Sequence, residues 1–210
     1  MNQETNETAA GAETEAATAS LQDNTGWRRA LRQDMVAQRK AMTPAEHAAL
    51  SARIVAHLLQ ALPEAAGRVV GFCWPVKNEP DVRAAVTSWR QAGGRAALPV
   101  VVAESAPLAF RAWQPGAVLV PDRYGIPTPS DGEWLTPEIL LLPLNAFDAA
   151  GYRLGYGGGY FDRTLAALAS RPLAVGVGFE LNRVASVRPQ AHDQRLDWII
   201  TERGALRIDG

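Results

Sequence analysis

The spacing of apolar residues in the first part of the chain predicts two helices. Between residues 27 and 63, apolar side chains return every three or four positions, and Leu50, Ile54 and Leu58 lie four apart. This period places side chains on one face of an α-helix. The two predicted helices are "GWRRALRQDMVAQRKAM" and "TPAEHAALSARIVAHLLQALP".

After residue 67 the apolar runs become short and β-branched, and helical segments separate them. The predicted strands are "RVVGFCW", "RAALPVVV", "LAFRAW", "EILLLPLNAF", "PLAVGVGF" and "LDWIITE", and the predicted helices between them are "EPDVRAAVTSWRQAGG" and "YFDRTLAALAS". Alternation of this kind indicates a mostly parallel sheet. The predicted fold class is therefore α/β, a single Rossmann-like three-layer domain over residues 27–210. The two N-terminal helices are expected on one face of the sheet.

Residues 1–26 differ from the rest of the chain in composition. They are rich in Ala, Thr and Glu and contain five acidic residues and no basic ones. Such a segment buries too little surface to offset its chain entropy, so we predict a disordered acidic tail. The remainder carries 21 basic and 17 acidic residues. That weak excess suits small anionic molecules and is far below what a nucleic-acid-binding domain needs.

The single cysteine, Cys73, lies in the apolar run "VVGFCW". An internal disulfide is therefore excluded, and a reducing compartment is favoured. The chain does not begin with a basic and then apolar leader, and no apolar run approaches the roughly 20 residues of a membrane span. We expect a cytoplasmic protein that binds neither membranes nor nucleic acids, and the sequence predicts no particular oligomeric state.

A glycine-rich segment, "GYRLGYGGGYFDRTL" at residues 151–165, is the main candidate for chemistry. Five of its first nine residues are glycine, and it joins a predicted buried strand to a predicted helix. Ligands of open α/β sheets bind beyond the carboxyl ends of strands, and glycines let backbone N–H groups approach them closely. The helix N-terminus favours phosphate. Arg153 can clamp phosphate oxygens, and Asp162 can hold magnesium.

The segment matches neither common nucleotide motif. The P-loop lysine is missing, and Tyr160 stands where G-x-G-x-x-G ends. From these residues alone, a tight structural turn remains the alternative to a phosphate loop, and Asp162 is equally an ordinary first-turn acid. The arginines at positions 28, 32 and 39 share one face of the first predicted helix. Taken alone, they indicate a solvated face as readily as a ligand site.

The stretch "FDAAGYRLGYGGGYFDRTL" closely resembles the signature of the 5-formyltetrahydrofolate cyclo-ligases, also called methenyltetrahydrofolate synthetases. The resemblance extends over most of residues 27 to 204. "WRRALRQDM" is similar to the family's first helix, "WPVKNEPDVR" to its substrate-side segment and "AHDQRLDWIITERG" to its closing segment. It implies an enzyme that uses ATP and Mg²⁺ to close 5-formyltetrahydrofolate to 5,10-methenyltetrahydrofolate, releasing ADP and phosphate. The implied partners are the small molecules folate and ATP.

The resemblance also implies roles for individual residues. Glu79 would bind the pterin-side groups of folate, whose paired N–H donors suit a carboxylate, and Trp74 would line the same site. Asp162 and Asp193 would be magnesium ligands. Taken alone, Glu79 is equally a helix-start acid and Asp193 half of a surface pair with His192. The implied ATP-binding residues are Arg28, Arg29, Arg32, Arg153, Leu154, Gly155, Tyr156, Gly157, Gly158, Gly159 and Tyr160.

Two positions depart from the family pattern. The family usually has lysine where Arg28 stands, and its "Tyr-Gly-Ile-x-Glu-Pro" segment is here "YGIPTP", with Thr128 in place of the glutamate. Arginine keeps the charge but is larger and forked. These departures leave two alternatives, a non-catalytic folate- or nucleotide-binding relative and a related enzyme with an altered substrate. An enzyme of sugar phosphates or acyl-CoA would leave "WPVKNEP" and "HDQRLD" unexplained.

Overall fold

The structure, a computed structural model, describes residues 24–209. The helices are α1 (24–40), α2 (Pro44–Ala61), α3 (Arg83–Gln91) and α4 (Tyr160–Ala167), with 3-10 helices at Pro63–Gly67 and Glu180–Asn182. The strands are β1 (Val69–Gly71), β2 (Arg95–Val100), β3 (Ala109–Trp113), β4 (Leu119–Pro121), β5 (Pro127–Pro129), β6 (Ile139–Pro143), β7 (Ala146–Phe147), β8 (Arg153–Leu154), β9 (Leu173–Val177), β10 (Trp198–Thr201) and β11 (Gly204–Arg207). None of the helices in this range is both long and apolar enough to span a membrane.

Seven strands form the main sheet, in the order β11-β10-β9-β6-β1-β2-β3. The strands from β10 to β2 are parallel, whereas the edge strands β3 and β11 run antiparallel to their neighbours. The predicted mostly parallel sheet is confirmed. The sequence pattern does not predict β4, β5, β8 and β11, because each has only two to four residues and so shows too little of the strand period.

Alternating side chains of the central strands build two cores, one on each face of the sheet. In β6, Ile139 and Leu141 join a core shared with α2 and α3, whereas Leu140 and Leu142 join a core that includes Leu165 of α4. Strands β2, β9 and β10 alternate in the same way. Because successive side chains of a strand point to opposite faces, a sheet covered on both sides has continuous apolar strands. This is the three-layer arrangement that the sequence predicts.

The two N-terminal helices are placed differently. Helix α2 packs on one face of the sheet and begins with a capping box, in which Thr43 and Glu46 accept each other's backbone N–H groups. Helix α1 packs through Leu31 and Met35 against a separate cluster that includes Leu154 of β8. The expectation that both helices lie on one face therefore holds for α2. The described packing of α1 is against the β7–β8 pair, beside the glycine-rich segment.

The predicted acidic tail lies mostly outside the described residues. Residues 1–23 are outside the described range, whereas residues 24–26 form the first turn of α1. These three residues of the predicted tail are therefore helical, and the prediction for residues 1–23 lies outside the described part of the chain.

The order of the parallel strands creates a topological switch point. The chain passes from β1 to β2 on one side and later enters β6 on the other side of β1. Connections leaving the carboxyl ends of β1 and β6 therefore diverge, and such a crevice is where open α/β sheets bind ligands. The segments that follow these two strands, residues 72–81 and 144–148, lie at this edge.

The turn into β2 has no room for a side chain at Gly94. A Cβ there would lie 2.8 Å from the carbonyl oxygen of Ala65 and 3.0 Å from that of Trp89. We expect Gly94→Ala to lower the free energy of unfolding by about 1–3 kcal/mol, because backbone atoms must move. Urea denaturation measures this. Gly67→Ala is the control, since a Cβ there meets nothing within 4 Å. Equal stability of the two variants would contradict the packing.

Candidate functional site

The glycine-rich segment forms an open turn between β8 and α4. Gly157 and Gly159 have φ angles of 95° and 63°, a left-handed backbone that glycine adopts without the steric cost of a Cβ. Gly159 is the N-cap of α4, and Tyr160 is its first residue. The first amides of a helix lack partners within the helix. The turn therefore presents N–H groups and partial positive charge, a combination that favours phosphate.

Two arginines of α1 hold the first half of this turn. Arg32 Nε donates to the carbonyl oxygen of Gly155 over 2.9 Å, and Arg39 Nη2 donates to the phenol oxygen of Tyr156 over 3.0 Å. The Nη groups of Arg32 have no acceptor within residues 24–209. A Cβ on Gly157 would lie 3.7 Å from Arg32 Cζ, so the guanidinium is beside the turn. Its unpaired N–H groups are of the kind that bind phosphate oxygens.

Arg153 and Asp162 form a second, fixed pair behind the turn. Arg153 is 6% exposed. Its Nη1 donates to the carbonyl oxygen of Gln194 over 2.8 Å, and its Nη2 donates to Asp162 Oδ1 over 3.0 Å. The same carboxylate oxygen accepts the N–H of Gln194. Strand β8, helix α4 and the segment before β10 are thus tied together, and the guanidinium keeps further N–H groups for a ligand.

Arg28 and Asp193 form a buried bidentate ion pair. Arg28 Nη1 and Nη2 donate to the two carboxylate oxygens of Asp193 over 2.7 and 3.0 Å, and both side chains are almost fully buried. Burial acts to raise the pKa of Asp193, but hydrogen bonds from Arg28 and the N–H of Gln190 outweigh it, so the pKa is below its usual value. Asp193 is therefore an ionised carboxylate with both oxygens engaged. A metal ion there would have to share them with Arg28.

Glu79 lies at the switch point, in the segment that follows β1, and is almost fully buried. Its Oε1 accepts the phenol hydrogen of Tyr156 over 2.5 Å, and its Oε2 accepts the N–H of Val76 over 3.0 Å. Arg39 Nη2 lies 3.9 Å from Oε1. Burial raises the pKa of Glu79 by more than these groups and Lys77 lower it. A buried carboxyl with a perturbed pKa in a ligand crevice is a strong candidate for a binding residue.

The side chains of the other predicted site residues have fewer contacts with the turn and with Glu79. The side chain of Leu154 is fully buried in the cluster with α1, so only its backbone can face a ligand. Arg29 is exposed on α1, and Trp74 is half-buried on the carboxyl side of β1. The hydroxyl of Tyr160 forms a 2.8 Å hydrogen bond with that of Tyr124. Tyr160 therefore joins the turn to the "YGIPTP" segment.

Two residues depart from the family pattern, Arg28 and Thr128. Arg28 forms the ion pair with Asp193 described above, and Thr128 lies away from the charged groups. Thr128 is buried in β5, and its hydroxyl donates to the carbonyl oxygen of Pro99 over 3.0 Å, which is a structural contact.

Burial and the nearby Glu79 raise the pKa of Cys73, so this thiol stays protonated. Nowhere in residues 24–209 do three His, Cys, Asp or Glu side chains gather as a preformed metal site.

The sequence reasoning did not assign Arg39 to the site. Arg39 is fully buried. Its Nε donates to the carbonyl oxygen of Lys77 over 2.9 Å, and its Nη1 donates to Asn145 Oδ1 over 3.1 Å. It thereby joins the segments that follow β1 and β6. The available signal was its position on the same helix face as Arg28 and Arg32, two turns beyond the latter.

Asp148 is a second residue without an assigned role in the sequence. It is 3% exposed. Its Oδ1 accepts the N–H groups of Ala150 and Tyr152, each over 3.1 Å, and its Oδ2 accepts that of Val187 over 3.0 Å. The aspartate thus shapes the turn that leads to Arg153 and fastens it to a distant loop. The local motif contains Asp148, but nothing in the sequence indicates the partner at position 187.

Comparison with known proteins gives one consistent result. The sequence profile of the 5-formyltetrahydrofolate cyclo-ligase family matches residues 24–202, a range that contains every candidate residue. The 5-formyltetrahydrofolate cyclo-ligase of Mycolicibacterium smegmatis is 30% identical over 153 residues, covering 68% of this chain and 78% of that protein. The protein of the same name from Escherichia coli strain K12 is 32% identical over 134 residues, covering 61% and 74%.

Solved structures agree with the sequence comparison. The NMR structure of the Aquifex aeolicus 5,10-methenyltetrahydrofolate synthetase is 28% identical, with a TM-score of 0.74 over 87% of this chain and 94% of that one. The synthetase from Mycoplasma pneumoniae is 24% identical, with a TM-score of 0.68 over 83% and 98%, and shares the fold.

The three backbone contacts of Asp148 predict a large effect of a small change. An amide at this position keeps one acceptor oxygen but turns an NH₂ group toward a backbone N–H. We expect Asp148→Asn to lower the free energy of unfolding by about 2–3 kcal/mol, measured by urea denaturation. Asp122→Asn is the matched control, because Asp122 Oδ1 accepts two backbone N–H groups in a surface turn. A loss no greater than that of the control would disprove the anchoring role.

Proposed function

This chain belongs to the 5-formyltetrahydrofolate cyclo-ligase family, and we propose that it converts 5-formyltetrahydrofolate into 5,10-methenyltetrahydrofolate while ATP is converted to ADP and phosphate. It is an enzyme of folate one-carbon metabolism that uses ATP as a co-substrate. The lone cysteine, Cys73, suits a reducing compartment, and we place the reaction in the cytoplasm.

One observation carries the proposal: a phosphate-type turn and a buried carboxylate share the same edge of the sheet. The turn of residues 157–160 lies beside the free Nη groups of Arg32 and follows Arg153. Glu79 is joined to this segment directly through Tyr156. A triphosphate on the turn and a pterin on the carboxylate would therefore be neighbours, as a reaction between ATP and a folate requires.

The reaction is one that positioning and charge neutralisation can catalyse. A formamide oxygen is a poor leaving group, so the γ-phosphoryl group of ATP is first transferred to it. The N10 amine then attacks the activated carbon and closes the ring, and phosphate departs with the oxygen. Such phosphoryl transfer needs clamped phosphates and neutralised charge rather than a protein nucleophile. The arginines at this edge of the sheet are groups that can clamp phosphates and neutralise their charge.

We assign the polyphosphate to the amides of residues 157–160. Arg32 offers free N–H groups at its side, and Arg153 offers the remaining donors of a guanidinium already fixed by Asp162. Arg28, held by Asp193, adds positive charge at the start of α1. Arg29 contributes charge from an exposed position, and Leu154 contributes only backbone.

We assign the pterin ring to Glu79. The N3 and 2-amino groups of a pterin form a paired donor edge, and a carboxylate has an acceptor oxygen for each donor. The position of Glu79 at the switch point, rather than on α3, supports binding over the alternative of a helix-start acid. Trp74 lies in the same segment and is the proposed apolar wall of this site.

Magnesium is assigned to Asp162 before Asp193. Oδ2 of Asp162 accepts no hydrogen bond from residues 24–209, so it can contribute one oxygen to an ion held otherwise by phosphates and water. Asp193 fits less well, because Arg28 engages both of its oxygens. When bound, the ion would neutralise charge on the transferred phosphoryl group.

The free donors of Arg32 predict its importance for turnover. We expect Arg32→Ala to reduce the rate of methenyl product formation by about a hundredfold or more, because a phosphate clamp is lost. The assay combines protein, 5-formyltetrahydrofolate, ATP and magnesium, and follows the product's absorbance. Arg53→Ala removes an exposed arginine of α2 and is the control.

Turnover by Arg32→Ala equal to that of the control would contradict the assignment. Tight folate binding by the unaltered protein without turnover would indicate the non-catalytic relative. Turnover of another substrate with no folate binding would indicate the altered enzyme.

The raised pKa of Glu79 predicts how folate binding depends on pH. We expect binding to weaken as the pH falls through that raised pKa, because a protonated carboxyl loses an acceptor. Glu79→Gln should bind weakly at every pH and lose the dependence. Calorimetry with 5-formyltetrahydrofolate between neutral and mildly acidic pH measures both. The exposed Glu133→Gln is the control, and an unchanged affinity of Glu79→Gln would remove the assignment.

A further inference from the structure

The side chain of Tyr156 leaves the glycine-rich segment and enters the cluster around Glu79. Its hydroxyl lies 2.5 Å from Glu79 Oε1 and 3.0 Å from Arg39 Nη2, and the Nζ of Lys77 lies 4.7 Å from the ring centroid. The backbone of the same residue precedes the turn at residues 157–160. Tyr156 therefore belongs to the phosphate turn by its main chain and to the carboxylate by its side chain.

The direction of these hydrogen bonds follows from the donors available. A guanidinium group has no acceptor, so the phenol oxygen of Tyr156 accepts from Arg39, and its only hydrogen is donated to Glu79. Burial and the charge of Glu79 raise the pKa of Tyr156, which keeps the phenol protonated. A chain of donors thus runs from Arg39 through Tyr156 to the carboxylate.

This bond leaves Glu79 able to bind a ligand. A carboxylate has about four lone-pair positions on two oxygens. Tyr156 occupies one on Oε1, and the N–H of Val76 occupies one on Oε2. One acceptor position therefore remains on each oxygen, which matches a ligand edge with two adjacent N–H donors. The tyrosine orients the carboxylate without taking the positions that such an edge needs.

We propose that Tyr156 is a positioning residue that couples the two substrates, an inference that rests on the function proposed above. Its hydroxyl donates to Glu79 and orients the carboxyl group for the pterin edge, and the same bond holds the main chain from which the phosphate-binding amides follow. A ligand that orders either end also orders the other, so each substrate binds more tightly in the presence of its partner. Thermodynamic linkage makes the two effects equal.

The hydrogen bond from Tyr156 is one of several interactions that affect the pKa of Glu79. Removal of one donor destabilises the ionised form, so the pKa of Glu79 rises further without the Tyr156 hydroxyl. The other titratable or charged groups facing this residue are Arg39 of α1, Lys77 and Cys73 of the segment after β1, and His47 of α2, whose Nε2 contacts the carbonyl oxygen of Glu79.

The test is Tyr156→Phe, which keeps the ring as a wall and removes only the hydroxyl. Tyr152→Phe, four residues earlier and half-buried against α1, is the matched control. Calorimetry measures 5-formyltetrahydrofolate binding with and without a non-hydrolysable ATP analogue. We expect Tyr156→Phe to weaken folate binding by about tenfold or more, since a hydrogen bond to a charged group is lost. The loss of folate binding on acidification should move to higher pH.

The analogue should tighten folate binding severalfold in the unaltered protein and in Tyr152→Phe, but not in Tyr156→Phe. Unchanged folate affinity in Tyr156→Phe, or coupling that survives the substitution, overturns the inference. So does the absence of coupling in the unaltered protein.

Amide hydrogen exchange separates this inference from the proposed function. Without any ligand, the amides of residues 155–159 should exchange faster in Tyr156→Phe than in Tyr152→Phe. Equal exchange overturns the anchoring role, whichever substrate the enzyme uses. Failure of the unaltered protein to bind folate would instead remove the proposed function and leave the anchor to be judged by exchange alone.

Discussion

A guanidinium group that leaves water must find hydrogen-bond acceptors, and this requirement organises the carboxyl edge of the sheet. Arg39 is fully buried, and Arg28 and Arg153 nearly so. Most of their acceptors belong to distant segments of the chain: Asp193 and Asn145, together with the carbonyl oxygens of Gln194, Lys77 and Leu144. Asp162, which accepts from Arg153, is nine residues away. The charges are satisfied only when α1, the glycine-rich segment and the segment before β10 are docked together.

This constraint explains how a glycine-rich turn is held in place. Glycine leaves the backbone free to approach a ligand but loses much conformational entropy on ordering. Order must therefore come from outside the turn. Arg32 holds the carbonyl of Gly155, and Asp148 fastens the preceding loop to Val187. The amides that follow remain available, so the same contacts that order the turn leave its binding groups unused.

Local patterns were sufficient for much of the fold and part of the site. The periods of apolar residues located the helices and the parallel strands, because one face of each helix and both faces of each central strand are buried. The glycine-rich segment was recognisable because the glycines that its backbone needs lie close together in the sequence. The edge strand β11, the packing of α1 and the contact between Asp148 and Val187 were not, since each depends on partners brought together only by folding.

Tyr156 illustrates the difference between what the local sequence determines and what the tertiary structure determines. The sequence alone determined that this residue lies in a glycine-rich turn between a strand and a helix, because its glycine neighbours set the backbone. Only the tertiary structure decided that its side chain contacts Arg39 and Glu79, which lie 117 and 77 positions away. Hydrophobic period and local motif constrain residues within a few turns of one another. The meeting of three such distant groups depends on strand order, which places α1 and the end of β1 beside the same crevice.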